Sequence, residues 1–173
     1  MTKKPKSSDN KLEQAYSKLL ERLKDAIEAT EEKTAFILHH QIEKAKKLAV
    51  QLDELSQEEA EKVAEYVKRD LYEAGEFLNE TGHVLGNWLA FDWQLIEENL
   101  WENFLTVADT AKLELNQLMQ ELEKNAIYKK GEVIGPSTLE CTNCRQQLHF
   151  HQAKQIPACP SCQGQDYKRV VNT

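Results

Sequence analysis

From Leu12 to Leu122 apolar residues recur every three or four positions, a spacing that gathers them on one stripe of a helix. Leu12, Tyr16, Leu19, Leu23 and Ile27 make the first stripe. Leu38, Ile42, Ala45, Leu48 (or Ala49) and Leu52 continue it. Neither Pro nor Gly occurs between Pro5 and Gly75, so no strong breaker interrupts the pattern. Asn10 with Glu13 has the form of a helix start, in which each side chain satisfies a free amide of the other. The stripe weakens at Thr30 and Thr34. One long helix reaching Leu55 and two helices meeting near Thr30 both fit.

Ser56-Gln57-Glu58-Glu59 is a clearer capping box and opens a second segment, with Ala60, Val63, Val67, Leu71, Ala74 and Leu78 as its stripe. Asn79-Glu80-Thr81-Gly82 ends it, Gly being able to take the left-handed conformation of a C-cap. A third helical run is expected over residues 84–125. Its later half pairs Leu100 with Trp101, Phe104 with Leu105 and Val107 with Ala108, and Ala111, Leu115, Leu118 and Leu122 complete the face. Its early half is apolar nearly all round and needs cover on two sides, from the bundle or from a second copy of the chain. Trp93, Leu100, Phe104 and Val107 share a face and read as core. Trp88 and Phe91 turn elsewhere and suit an interface.

Near Tyr128 the texture changes. Gly131, Gly135-Pro136, Pro157, Pro160 and Gly164 cluster in the last quarter of the chain and helical spacing stops. Leu148 and Phe150 alternate with Gln147, His149 and His151, as in a strand with one covered face. Tyr167, Val170 and Val171 suit a further strand. The chain is therefore expected to be mainly α, a long antiparallel helical bundle or coiled coil followed by a small C-terminal β ribbon. Residues 1–8 form a Lys/Ser-rich disordered start, 9–127 the helical bundle and 128–173 the ribbon.

All four cysteines fall in the ribbon, as Cys141-Thr-Asn-Cys144 and Cys159-Pro-Ser-Cys162. A two-residue gap lets both sulfurs of a tight turn face one ion, and two such turns complete a tetrahedral site. Cys141, Cys144, Cys159 and Cys162 are thus expected to hold one structural Zn2+. A module of about 40 residues has too little core to fold without such a staple. Bound zinc contributes on the order of 10 kcal/mol. Four thiolates also suit iron, and disulfides or redox thiols are the remaining readings. Cys159-Pro-Ser-Cys162 has the form of a redox dithiol, but the βαβ setting of such a site is missing.

The stretch Tyr128-Lys-Lys-Gly131-Glu132-Val133-Ile134-Gly135, with Leu139, the two Cys pairs, Tyr167 and Arg169, resembles an uncharacterised bacterial zinc-ribbon-containing family, the YbeL-like proteins. Lys68-Arg69-Asp70-Leu71 and residues 97–112 are also similar, so the resemblance covers most of the chain. It implies a helical region followed by a zinc ribbon with the four cysteines as ligands, and no activity. Many ribbons place Gly directly after the second Cys of each turn, where this chain has Arg145 and Gln163.

Charge separates the possible functions. Residues 70–123 carry twelve acidic side chains and one basic one, Lys112. Such a block repels phosphate backbones, which disfavours nucleic-acid binding by the helices. Its simplest reading is a solvated helix surface. Residues 131–173 hold four basic and three acidic residues, a weak balance for nucleic acid, with Arg145, Lys154, Lys168 and Arg169 as candidate contacts beside His149 and His151. Glu80-Thr-Gly-His83 has a di-iron spacing but no second copy, and His39-His40 reads as a half-exposed pair. No phosphate-binding, nucleophile or metalloprotease motif occurs. A closed four-ligand site leaves no position for a substrate. No apolar run follows the basic N-terminus, and none is long enough to span a bilayer. The expectation is a cytoplasmic, non-enzymatic zinc-binding interaction or adaptor protein that uses its ribbon as a docking module. It has protein partners, or a second copy held through the helices, and no membrane association. A nucleic-acid-associated ribbon and a zinc-thiolate redox sensor are the alternatives.

Overall fold

A computed structural model describes residues 8–29, 35–81, 89, 93–118 and 127–171. Among the described residues, four α-helices occupy the first part: α1 (Ser8–Glu28), α2 (Ala35–Gln51), α3 (Gln57–Thr81) and α4 (Glu98–Leu118). Every pair of them is in contact. Lys11 pairs with Glu59 and Tyr16 with Asp70, so α1 and α3 run side by side in the same sense. The 12–55 stripe is thus two helices, while the Thr30 region between them lies outside the described residues. Among the described residues, no helix is long and apolar enough to cross a membrane.

Local chemistry explains several of the boundaries. Ser56 Oγ accepts from the Glu59 amide at 3.2 Å and Glu59 Oε2 accepts from the Ser56 amide at 2.9 Å, the reciprocal box expected at the start of α3. Helix α2 ends in a Schellman turn: the Glu54 amide donates to Ala49 O and the Asp53 amide to Val50 O. Asp53 takes the left-handed position with φ 55°. Because α2 stops at Gln51, Leu52 falls outside the stripe and is exposed. Leu48 is exposed too, and Ala49 is the residue that faces inward.

Two helix starts differ from expectation. Helix α1 begins at Ser8, ahead of Asn10, and Glu13 Oε1 accepts from the Gln155 amide at 2.9 Å, so Glu13 pins the ribbon instead of capping the helix. The third apolar run is not one helix from residue 84. A 3₁₀ turn, Trp93–Leu95, precedes α4, whose first intrahelical bond runs from the Trp101 amide to Glu97 O. Exposed Glu97 and Glu98 sit at that N-terminus, where negative charge favours a helix start. An apolar period registers burial but not this cap. Trp88, Phe91, Leu122 and the Gly82-His83 part of the di-iron spacing lie outside the described residues.

The bundle core takes Tyr16, Leu20, Leu23, Leu38, Val67, Leu71, Phe104 and Val107, all fully buried. Two side chains from the ribbon, Val133 and Ala153, belong to this same core.

The ribbon has six short strands, all paired antiparallel. Strands β1 (Tyr128–Lys129), β6 (Asp166–Val170), β3 (Ser137–Cys141) and β4 (Gln147–Phe150) form one sheet in that order. Strands β2 (Val133–Ile134) and β5 (Lys154–Gln155) form the other. Phe150 is buried in β4 while Gln147 and His149 are exposed, as the alternation predicts. His151 lies beyond the strand, so the two histidines do not share a strand face. Val171 follows β6 and is exposed.

Candidate metal centre

Cys141 ends β3, Cys144 closes the turn after it, and Cys159 and Cys162 bracket the turn before β6. The two turns repeat the same bonds. The Cys141 amide donates to Gln146 O and the Arg145 amide returns to Cys141 O, each at 2.9 Å. The Cys159 amide donates to Gly164 O and the Gln163 amide returns to Cys159 O, again at 2.9 Å. Each turn thus buries its first sulfur and leaves its second nearer the surface.

The four sulfurs lie within 4.8 Å of one another. Two pairs cross between the turns at short range: Cys141 to Cys162 at 3.6 Å and Cys144 to Cys159 at 3.5 Å. A tetrahedral site with bonds of about 2.3 Å has sulfurs roughly 3.8 Å apart, whereas a disulfide brings them to about 2.0 Å. The donor set therefore fits one tetrahedral ion and not two disulfides. Gly164 completes the cradle. A Cβ there would stand 3.1 Å from Cys141 Sγ and 3.2 Å from Cys162 Sγ, and its amide lies 3.4 Å from Cys162 Sγ.

The thiols polarise one another. The Asn143 side chain and the Gly164 amide draw Cys162 down to about 6. The Gln146 amide favours the Cys144 thiolate, yet contact with the other sulfurs pushes that thiol up to about 12. Arg145 and Gln163, the residues standing where many ribbons have Gly, both adopt φ 61°. The left-handed turn is kept without its usual residue, at a cost of roughly 1 kcal/mol each.

A second polar centre lies between ribbon and helices. Asp70 has no exposed surface. Its Oδ2 accepts from Tyr16 Oη at 2.7 Å and from the Gly135 amide at 2.8 Å, and its Oδ1 takes Arg169 Nη2 at 2.8 Å. Arg169 Nε also reaches Glu73 Oε2 at 2.5 Å, and the same carboxylate accepts the Tyr128 hydroxyl. Arg69 bonds Glu132 at 2.7 Å, and its guanidinium lies 4.0 Å from the Tyr128 ring centroid. Removing one partner of such a buried pair costs about 3–5 kcal/mol.

This network corrects the surface reading of Arg169. Its side chain is 7% exposed and engaged with two carboxylates, so it is not available to a phosphate backbone. Lys168, Lys154 and Arg145 stay exposed. His149 Nδ1 lies 2.8 Å from Thr138 Oγ1, whose single proton goes to Leu89 O at 2.7 Å, so Nδ1 is the donor in that pair. His39 and His40 are exposed on α2. Sequence reasoning missed Asp70 as a buried anchor. Its one signal was a carboxylate three residues after Val67 and four before Ala74, within the apolar stripe of α3.

A family model described as a zinc-ribbon containing domain matches residues 6–171. The chain is 25% identical over 160 residues to Uncharacterized protein YbeL of Escherichia coli strain K12, covering 92% of this chain and 96% of that one. The proteins of the same name from E. coli O6:H1 strain CFT073 and E. coli O157:H7 match with the same identity and coverage. No solved structure matches the chain.

Proposed function

The chain belongs to the zinc-ribbon-containing family, and from that premise we propose that it is a non-enzymatic interaction protein with one structural zinc. The observation that carries the reading is the pair of matching turns that converge four sulfurs within 4.8 Å. Cys141, Cys144, Cys159 and Cys162 hold the ion. When bound, zinc cross-links the two turns and supplies the folding energy that the ribbon's small core lacks. With all four positions taken by protein, no site remains for a substrate or an activated water, which favours a structural over a catalytic role. A reducing cytoplasm keeps the thiols available to metal.

The ribbon surface left for a partner is the pair of turns. Thr142, Asn143, Arg145, Gln146, Pro160 and Ser161 are exposed there, while the β2 and β5 side is occupied by the protein's own helices. The helices provide self-association in this reading. Elemental analysis of the purified chain is expected to return one zinc per chain, and Cys159→Ser to lose both the metal and the dispersed amide spectrum of the ribbon. Zinc and spectrum retained in that variant would sink the structural assignment. Size-exclusion light scattering showing a monomer at high concentration would remove self-association from the proposal.

A further inference from the structure

We propose that metal occupancy of the ribbon sets the stability of the helical bundle, transmitted from the thiolate site along β6 to Asp70. This rests on the metal-binding reading above. Strand β6 joins two environments within three residues. Tyr167 stands opposite Cys141 in the β3–β6 ladder and is buried in the ribbon core with Cys141 and Cys159. Two positions on, and so on the same face of the strand, Arg169 leaves the ribbon and reaches Asp70 and Glu73 on α3. Strand β1 makes the same connection, since Tyr128 pairs with Tyr167 and its hydroxyl donates to Glu73.

The helices are built to be completed by the ribbon. Of the groups that satisfy Asp70, the Gly135 amide and Arg169 come from the ribbon. The helices supply Tyr16 and a more distant Arg69, with Nε 3.6 Å from Oδ1. Val133 and Ala153 are counted in the helical core although the ribbon carries them. A ribbon deprived of its metal has too little core to hold these groups in place. Opening it wets the apolar surface under Val133 and Ala153 and strips Asp70 of its strongest partner. Helices α1 and α3, which carry the main contacts with β2 and β5, are the ones that loosen.

The test is hydrogen exchange on the full chain, zinc-loaded and then treated with EDTA, with metal content measured on the same samples. Protection of amides around Tyr16 and Asp70 is expected to fall by about tenfold or more, and by more than in α2. Asp70→Asn, with Arg169→Lys as a milder second variant, is expected to keep the metal and shrink the EDTA-dependent difference. A zinc-loaded wild-type chain whose α1 and α3 protection is unchanged by EDTA would overturn the coupling while leaving the metal reading intact. Metal-retaining variants that keep the full wild-type difference would overturn the route through Asp70 and Arg169. A chain that binds no zinc even on reconstitution overturns the metal reading and this inference with it.

Discussion

At Gly135 the ribbon backbone packs directly on the Tyr16 side chain of the helices. A methyl group there would stand 2.4 Å from the Tyr16 hydroxyl and 3.0 Å from its Cζ. An ordinary carbon–oxygen contact is roughly 1 Å longer, and Tyr16 has no exposed surface into which to retreat. The hydroxyl must therefore leave Asp70 Oδ2, now 2.7 Å away. Losing a hydrogen bond to a charged group costs about 1.5–3 kcal/mol, and the overpacking adds about 1–3 kcal/mol. Gly135→Ala is thus expected to destabilise the chain by about 2.5–6 kcal/mol in urea unfolding at saturating zinc. Tyr16→Phe alone loses the same hydrogen bond, about 1.5–3 kcal/mol, and removes the atom that the methyl would strike. The double variant should therefore cost less than the sum of the singles by at least about 1.5–3 kcal/mol, the shared hydrogen bond. Additivity to within about 0.5 kcal/mol would refute the argument that both substitutions act on one bond.

Other expectations follow from separate parts of the structure. At φ 61° Gln163 tolerates Gly and opposes a β-branched side chain. Gln163→Val should therefore weaken zinc retention against a chromophoric chelator relative to Gln163→Gly, by about tenfold for each 1.4 kcal/mol of added strain. Ser56→Ala removes one half of the capping box and should cost about 1 kcal/mol in thermal unfolding, with the loss of helix protection centred on the first turn of α3. Burial, reinforced by the Asp70 charge, raises the ionisation of Tyr16 well above the usual tyrosine range. Burial does the same for Tyr128, with Glu73 adding to it and Arg169 opposing. The unfolded chain therefore releases these protons first. Their contribution is fully present below about pH 10 and is lost above it, by up to roughly 1.4 kcal/mol per pH unit for each tyrosine. Tyr16→Phe should flatten that alkaline slope, and an unchanged slope would count against the buried hydroxyl.

The clustering of the four cysteines was legible from the chain because each turn is local. A Cys-x-x-Cys step places both sulfurs through a few backbone dihedrals, and only the approach of the two turns is left to the fold. The Ser56 box was legible for the same reason. Helix faces were legible wherever a period of 3.6 held, and less so at their ends. The exposed Leu52 and the 3₁₀ turn before α4 depend on caps that carry no hydrophobic signature.

Tertiary structure alone decided what the charges near the ribbon are for. Asp70 and Arg169 stand 99 positions apart. On their own elements, each looks like one more solvated charge. Packing the ribbon on α1 and α3 removes the water from both and makes each the partner the other requires. A buried charge takes its meaning from the group opposite it, and no local stretch of sequence specifies that group. The sequence by itself determined a helical chain ending in a four-cysteine ribbon. Only the fold decided that the ribbon, through Asp70, Arg169, Tyr16 and Gly135, completes the helical core instead of standing apart from it.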